Sequence, residues 1–161
     1  GVGVFHDRPL PECRSVQLTP HSATSVQLWK LLAQHLGISW VEKTPADARL
    51  VIGDLALEEW NRRNGQGVLD LGRVWTEWTG KPFVFGVWAL GPKAQPKQAE
   101  LDRFREACRE GVGRRAEMAR DEKEREYLMH CIRYGLGVEE KEGLAEFAQR
   151  SGLGKVEIDW V

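Results

Sequence analysis

The residues best suited to chemistry form a hydroxyl-rich turn, Thr19-Pro20-His21-Ser22-Ala23-Thr24-Ser25, between an apolar run and a helical pattern. Hydroxyls and free backbone N–H groups that converge at the positive end of a helix make a ready receptor for a carboxylate or phosphate. Ser and Thr are also the preferred N-caps of ordinary helices, so spacing alone leaves both readings open. Gly53-Asp54 closes a second apolar run. That is where open α/β sheets place ligands, or else Asp54 caps the next helix. His6 and His21 stand near strand ends and could act as acid or base, since imidazole titrates near neutrality. The plainer reading of each is a surface turn histidine. His35 and His130 fall inside helical patterns and are assigned no chemistry. No phosphate loop, nucleophile elbow, dinucleotide fingerprint or metal-binding helix is present, and no residue is assigned a catalytic role from the sequence.

Cys13, Cys108 and Cys131 are odd in number, widely spaced and without a CxxC pair, which argues against a disulfide framework and a zinc site and suits a reducing, cytoplasmic setting. With 23 Lys and Arg against 24 Asp and Glu, and the two signs interleaved, no basic patch for nucleic acid is expected. The run from Arg103 to Arg125 reads as a solvated, salt-bridged helix surface. No apolar run approaches the ~20 residues that span a bilayer, and no leader precedes the first strand. The chain opens at Gly1 on an apolar stretch, so further residues are expected upstream. Of the seven tryptophans, Trp75 and Trp78 share a helical face with Leu71 and Val74, which favours core packing. Trp88 ends an apolar run beside a proline-rich linker, where a hinge or cleft wall would lie.

The elements that must carry these residues follow from periodicity. Strands are expected at Val2–Phe5, Ser15–Thr19, Ala48–Ile52 (buried on both faces) and Phe83–Ala89. A capped helix should follow Ser22 or Thr24 up to Gly37, another should run over Leu55–Arg62, and a third should carry Leu71 to Trp78 and stop at Gly80. Asn64 to Gly67 reads as a loop. Gly91 to Pro96 is the best linker, dividing an α/β part over residues 1–90 from a part over 91–161. The latter should hold three helices, around Leu101 to Ala116, Leu128 to Ile132 and Leu144 to Ala148, and a terminal strand through Val156, Ile158 and Trp160. At 161 residues one core is the default.

Five ordered blocks, "LTPHSATSV", "ARLVIGDLAL", "LDLGRVWTEWTGKPFVFGVWA", "YLMHCIRYGLG" and "EGLAEFA", resemble the chorismate dehydratase family of the futalosine route to menaquinone, the third being the most specific. The resemblance implies one lobe of a type II periplasmic-binding-protein-like α/β fold followed by a C-terminal helical segment. On that template Val2–Phe5 and Phe83–Ala89 are hinge crossings, and the C-terminal helices pack on a first lobe upstream of Gly1. Relatives carry an extra helix where this chain has the short stretch Ile38 to Arg49. The implied reaction is loss of water from the dicarboxylate chorismate, giving 3-[(1-carboxyvinyl)oxy]benzoate, with no metal or organic cofactor. The resemblance also favours a carboxylate site at Ser22, Ala23, Thr24 and Ser25 over simple capping, with Gly53 and Asp54 at the cleft rim. The base is expected in the first lobe, with His21 as stand-by. A non-catalytic receptor of the same fold, and the sister enzyme that makes 1,4-dihydroxy-6-naphthoate, are the alternatives. Homodimerisation through the surface meant for the other lobe is a further expectation.

Overall fold

In the computed structural model, which describes residues 1–154, the chain begins with β1, Val2–His6, whose side chains alternate between two faces. Val4 is fully buried and points to one core with its cross-strand partner Leu50. Gly3 and Phe5 point the other way, where the Arg63 guanidinium lies 5.8 Å from the Phe5 ring centroid. The remaining strands are β2 (Ser15–Gln17), β3 (Val41–Glu42), β4 (Ala48–Ile52) and β5 (Val68–Asp70). They form one sheet in the order β3-β2-β4-β1-β5. β2 runs parallel to β3 and β4, whereas β1 is antiparallel to both neighbours, β4 and β5. Four strands therefore point one way and β1 alone points back.

Helix α1 (Ala23–His35) follows β2, α2 (Gly53–Arg63) follows β4, and α3 (Leu71–Thr79) follows β5. The α3 stripe is the one expected from spacing, whereas α1 turns Leu28, Trp29, Leu32 and Ala33 inward and leaves His35 and Leu36, which share the helical spacing of Leu28 and Leu32, exposed. Leu28, Trp29 and Leu32 of α1 and Leu71 and Trp75 of α3 close over Val4, Val16 and Leu50 as one core. α1 and α3 are joined near their C-terminal ends by His35 stacked on Trp78, 4.2 Å between ring centroids. α2 covers the other face more thinly, with Ala56 its only buried residue. On that face Arg49 of β4 is exposed and pairs with Glu59 of α2, so β4 is fully buried on one side only, not on both as expected. The stops are as expected: Gly37 and Gly80 both take positive φ, which ends a helix without the strain a Cβ would bring. The loop after α2 ends in Gly67, where an added Cβ would run into the His6 carbonyl.

The strand expected over Phe83–Ala89 does not form. Residues 81–91 carry no regular structure, because a strand needs a neighbour to pair with and none adjoins this segment among the described residues. Pro82 also lacks an N–H to offer. Its aromatic side chains pack on helices instead: Phe83 meets Trp75 (5.4 Å) and Phe147 (4.9 Å) edge to face. Phe147 belongs to α6 (Val138–Arg150), whose Gly143 lies so close to the Pro82 carbonyl that a Cβ has no room.

This packing changes the expected split at residue 90. The chain forms two compact units, one of Gly1–Phe85 with the chain from Leu136, the other of Gly86–Gly135. α6 therefore belongs with the sheet, because its apolar side finishes the Trp75 cluster. The second unit holds α4 (Gln98–Gly113) and α5 (Glu122–Glu126), the latter widening into a π-helical turn over Tyr127–Cys131. No residue of those helices is buried. Its charges pair along the helix surface as expected, for example Arg105 with Asp102 and Arg109 with Glu106. Trp88, 83% exposed, rests edge-on against Phe104 of the same unit. The strand expected at Val156 to Trp160 lies outside the described residues.

Candidate functional site

Because β2, β4 and β5 point the same way, their carboxyl ends and the N-termini of α1, α2 and α3 share one edge of the sheet, with the start of β1 between β4 and β5. Adjacent strands stand about 4.8 Å apart, so this edge is narrow. It brings together the two segments singled out from sequence, Thr19 to Ser25 after β2 and Gly53-Asp54 after β4.

Ser22 is the N-cap of α1. Its Oγ accepts from the Ser25 N–H at 3.1 Å and is 2.9 Å from the Ser25 Oγ, which is buried. The His21 N–H donates to Thr19 Oγ1 at 3.3 Å, tightening the turn before the helix. The capping reading is thus realised by Ser22. It leaves the N–H groups of Ala23 and Thr24, in the first turn, without intrahelical acceptors. Ala23 is exposed and Thr24 half-buried, and the Thr24 hydroxyl makes no hydrogen bond to the described protein groups. Two N–H donors and one hydroxyl at a positive helix end can hold a carboxylate.

Gly53 and Asp54 serve differently from each other. The Gly53 N–H donates to the Gly1 carbonyl at 2.8 Å and the Gly53 carbonyl accepts from the Gly1 amine at 3.3 Å, so both backbone groups of Gly53 are engaged in holding β1. Its φ of 68° lets the chain turn sharply from strand to helix. The N-cap of α2 is Ile52, without a side-chain cap, so Asp54 lies inside the first turn and is not the cap. It is exposed, with its charge favoured by the helix dipole.

His21 is exposed beside this turn. His6 is not at this edge: it pairs with Ala48 at the opposite end of the sheet, and its Nδ1 is 2.7 Å from the Arg8 carbonyl oxygen. The sequence reading missed Asp70 and Gly72 at the third helix start. Asp70 caps α3 by accepting from the Arg73 N–H at 2.9 Å, a role signalled by an Asp immediately before the apolar series Leu71, Val74, Trp75. No cluster of three His, Cys, Asp or Glu side chains able to hold a metal occurs among the described residues. No helix among them is long and apolar enough to cross a membrane.

A family model described as menaquinone biosynthesis matches residues 1–152. The chain belongs to this menaquinone-biosynthesis family. Within it, the chain is similar to a protein named chorismate dehydratase from Thermus thermophilus, 34% identical over 184 residues that take in 94% of this chain and 68% of the relative. That alignment is longer than the 161-residue chain, so within the aligned region the family relative carries residues that this chain lacks. The edge built from β2, β4 and β5 lies wholly within the part matched by the family model.

Proposed function

We propose that the chain serves as a lyase of menaquinone biosynthesis that removes water from chorismate to give 3-[(1-carboxyvinyl)oxy]benzoate, by the futalosine route, in the cytoplasm. The observation that carries this reading is the pairing of family membership with an unspent carboxylate receptor, the Ala23 and Thr24 N–H groups and the Thr24 hydroxyl, at the ligand edge of the sheet.

The chemistry is an elimination. A base takes the proton from C3 of chorismate, that electron pair becomes the new ring double bond, and the C4 hydroxyl leaves as water when it receives a proton. Aromatisation supplies the driving force, so the protein's part is geometric: it must hold two carboxylates, exclude water and place one base. In this reading Ser22 and Ser25 shape the receptor and Ala23 and Thr24 contact one carboxylate. Gly53 fixes the rim. Asp54 carries the same charge sign as the substrate, so its useful orientation is toward the C4 hydroxyl, which can donate to it. His21 stands at the same edge as a proton-transfer group.

The reading extends to architecture. The α/β unit acts as one lobe of a two-lobed, type II periplasmic-binding-protein-like fold, with substrate between this edge and a second lobe that supplies the base. Two observations support it: the family relative is longer than the part this chain matches, and the second unit leaves apolar side chains such as Trp88 and Met118 open.

Thr24→Ala is the direct test. It removes a hydroxyl without disturbing the Ser22 cap, and calorimetric titration with chorismate should show about ten-fold weaker binding, the usual worth of one hydrogen bond to a charged group. Unchanged affinity would remove the turn from the site.

A further inference from the structure

We propose that Phe85 is the apolar wall of this site and selects for a ring-bearing dicarboxylate over an open-chain one. The proposal rests on the reading of the sheet edge as the chorismate site.

Gly72 is the second residue of α3, and so lies at the ligand edge. A Cβ built on it would come within 3.2 Å of Phe85 Cε2 and 3.4 Å of Phe85 Cζ, and within 3.4 Å of Asp70 Oδ1. The Phe85 ring therefore lies directly on the backbone of the first turn of α3, and glycine is what lets it approach. From the other side it is held by Phe83, 4.7 Å away and tilted by 62°, which is itself locked between Trp75 and Phe147. Unlike Trp75, which is fully buried in that cluster, Phe85 is 45% exposed. The result is a ring fixed in position with one side bare, at the edge where three helices begin.

The helices that carry the carboxylate receptor and Gly72 lie on the same face of the sheet. α1 and α3 pack against each other, and the His35–Trp78 stack aligns their far ends. Their N-termini follow β2 and β5, which stand three places apart in the sheet, about 14 Å at the usual strand spacing. A carboxylate held at Ala23 and Thr24 directs the ring that bears it across this gap toward Phe85. A phenyl face offers no charge to compete with the two carboxylates, and its favourable offset or edge-on contact improves as the substrate ring flattens into an aromatic product. An open-chain dicarboxylate of equal charge gains nothing from it.

The test is chorismate titration of the full chain carrying Phe85→Leu, which keeps apolar bulk, and Phe85→Ala, alongside Gly72→Ala, which forces the ring to shift by a few tenths of an ångström. Affinity should fall in the order unsubstituted, Phe85→Leu, Phe85→Ala, with Phe85→Ala about ten-fold weaker. Gly72→Ala should weaken binding without lowering the melting temperature. A purely structural role would lower the melting temperature in both Phe85 variants and leave affinity intact in the folded fraction, which overturns the proposal. If Thr24→Ala weakens binding and neither Phe85 variant does, the wall fails while the site reading stands. If the unsubstituted chain does not bind chorismate, both fail.

Discussion

Glu59 shows how one carboxylate can organise a whole face of the sheet. Its Oε1 accepts from Arg63 Nε at 2.7 Å, Arg62 closes on the same carboxylate, and Arg49 of β4 stands 3.6 Å away. Arg63 goes on to bond the His6 carbonyl (3.1 Å) and the Asp7 carboxylate (2.8 Å), so α2 is tied to the ends of both β4 and β1. The hydrogen bonds from Arg62 and Arg63 hold the Glu59 carboxyl down to about 2. A carboxylate depressed in the folded state adds stability above its unfolded pKa and loses it as the pH falls through the folded value. Glu59→Gln should therefore lower stability at neutral pH by about 1–2 kcal/mol. The gap between the two proteins should close on acidification from about pH 4.3 toward pH 2, measured by urea unfolding at each pH. A gap that stayed constant with pH would show that the contribution is not ionic. Asp47 plays a similar part at the same end of the sheet. It accepts from the N–H groups of Arg14 and Ser15 and from the Ser15 hydroxyl, which hold its carboxyl below the usual range and fasten β2 to the residue before β4. Neither carboxylate is at the ligand edge, which separates the residues that hold the sheet from those offered to a ligand.

Among the elements, those with a full period of apolar residues and a chemical stop were legible in the sequence. α1 had a Ser cap and a glycine stop, and α3 had four apolar residues on one stripe and Gly80. β3 and β5 escaped because two and three residues are too short to display alternation. Phe83–Ala89 was misread for the converse reason, since an apolar aromatic run looks the same whether it pairs in a sheet or packs on helices. The candidate site was legible where it depends on side-chain type, at Ser22 to Ser25. It was illegible where it depends on backbone, as at Gly53, whose N–H turns out to be bonded to Gly1, and at Gly72, whose neighbour is 13 residues distant along the chain. The element that matters most to the edge is α3, because its Trp75 joins the sheet core to Phe83 and Phe147. Trp75→Ala should cost about 3–5 kcal/mol, the range for emptying a buried aromatic site. It should appear as a lower urea midpoint at unchanged slope, and a loss under about 1 kcal/mol would mean that the cluster does not support the fold.

At the scale of the whole molecule, the family was legible before any coordinates, from five blocks that fall within the reach of the family model over residues 1–152. The division into units was not, because it depends on where α6 lands and not on where prolines cluster. Residues 86–97 have no regular structure and are almost entirely exposed, so brief trypsin treatment should cut first after Lys93 or Lys97. Mass spectrometry of the earliest fragments checks this, and first cuts inside α1 or α2 would contradict it. The order in which the sheet is assembled follows from the place of β1. It is first in the sequence yet sits between β4 and β5, with Val4 opposite both Leu50 and Leu69. During synthesis its two flanks stay empty until residues 48–52 and then 68–70 have emerged, so the strand that comes first of these five is the last to be paired on both sides. The ligand edge, which needs the carboxyl ends of β2, β4 and β5 in register, can appear only at that final step, making a folded site and a closed sheet the same event.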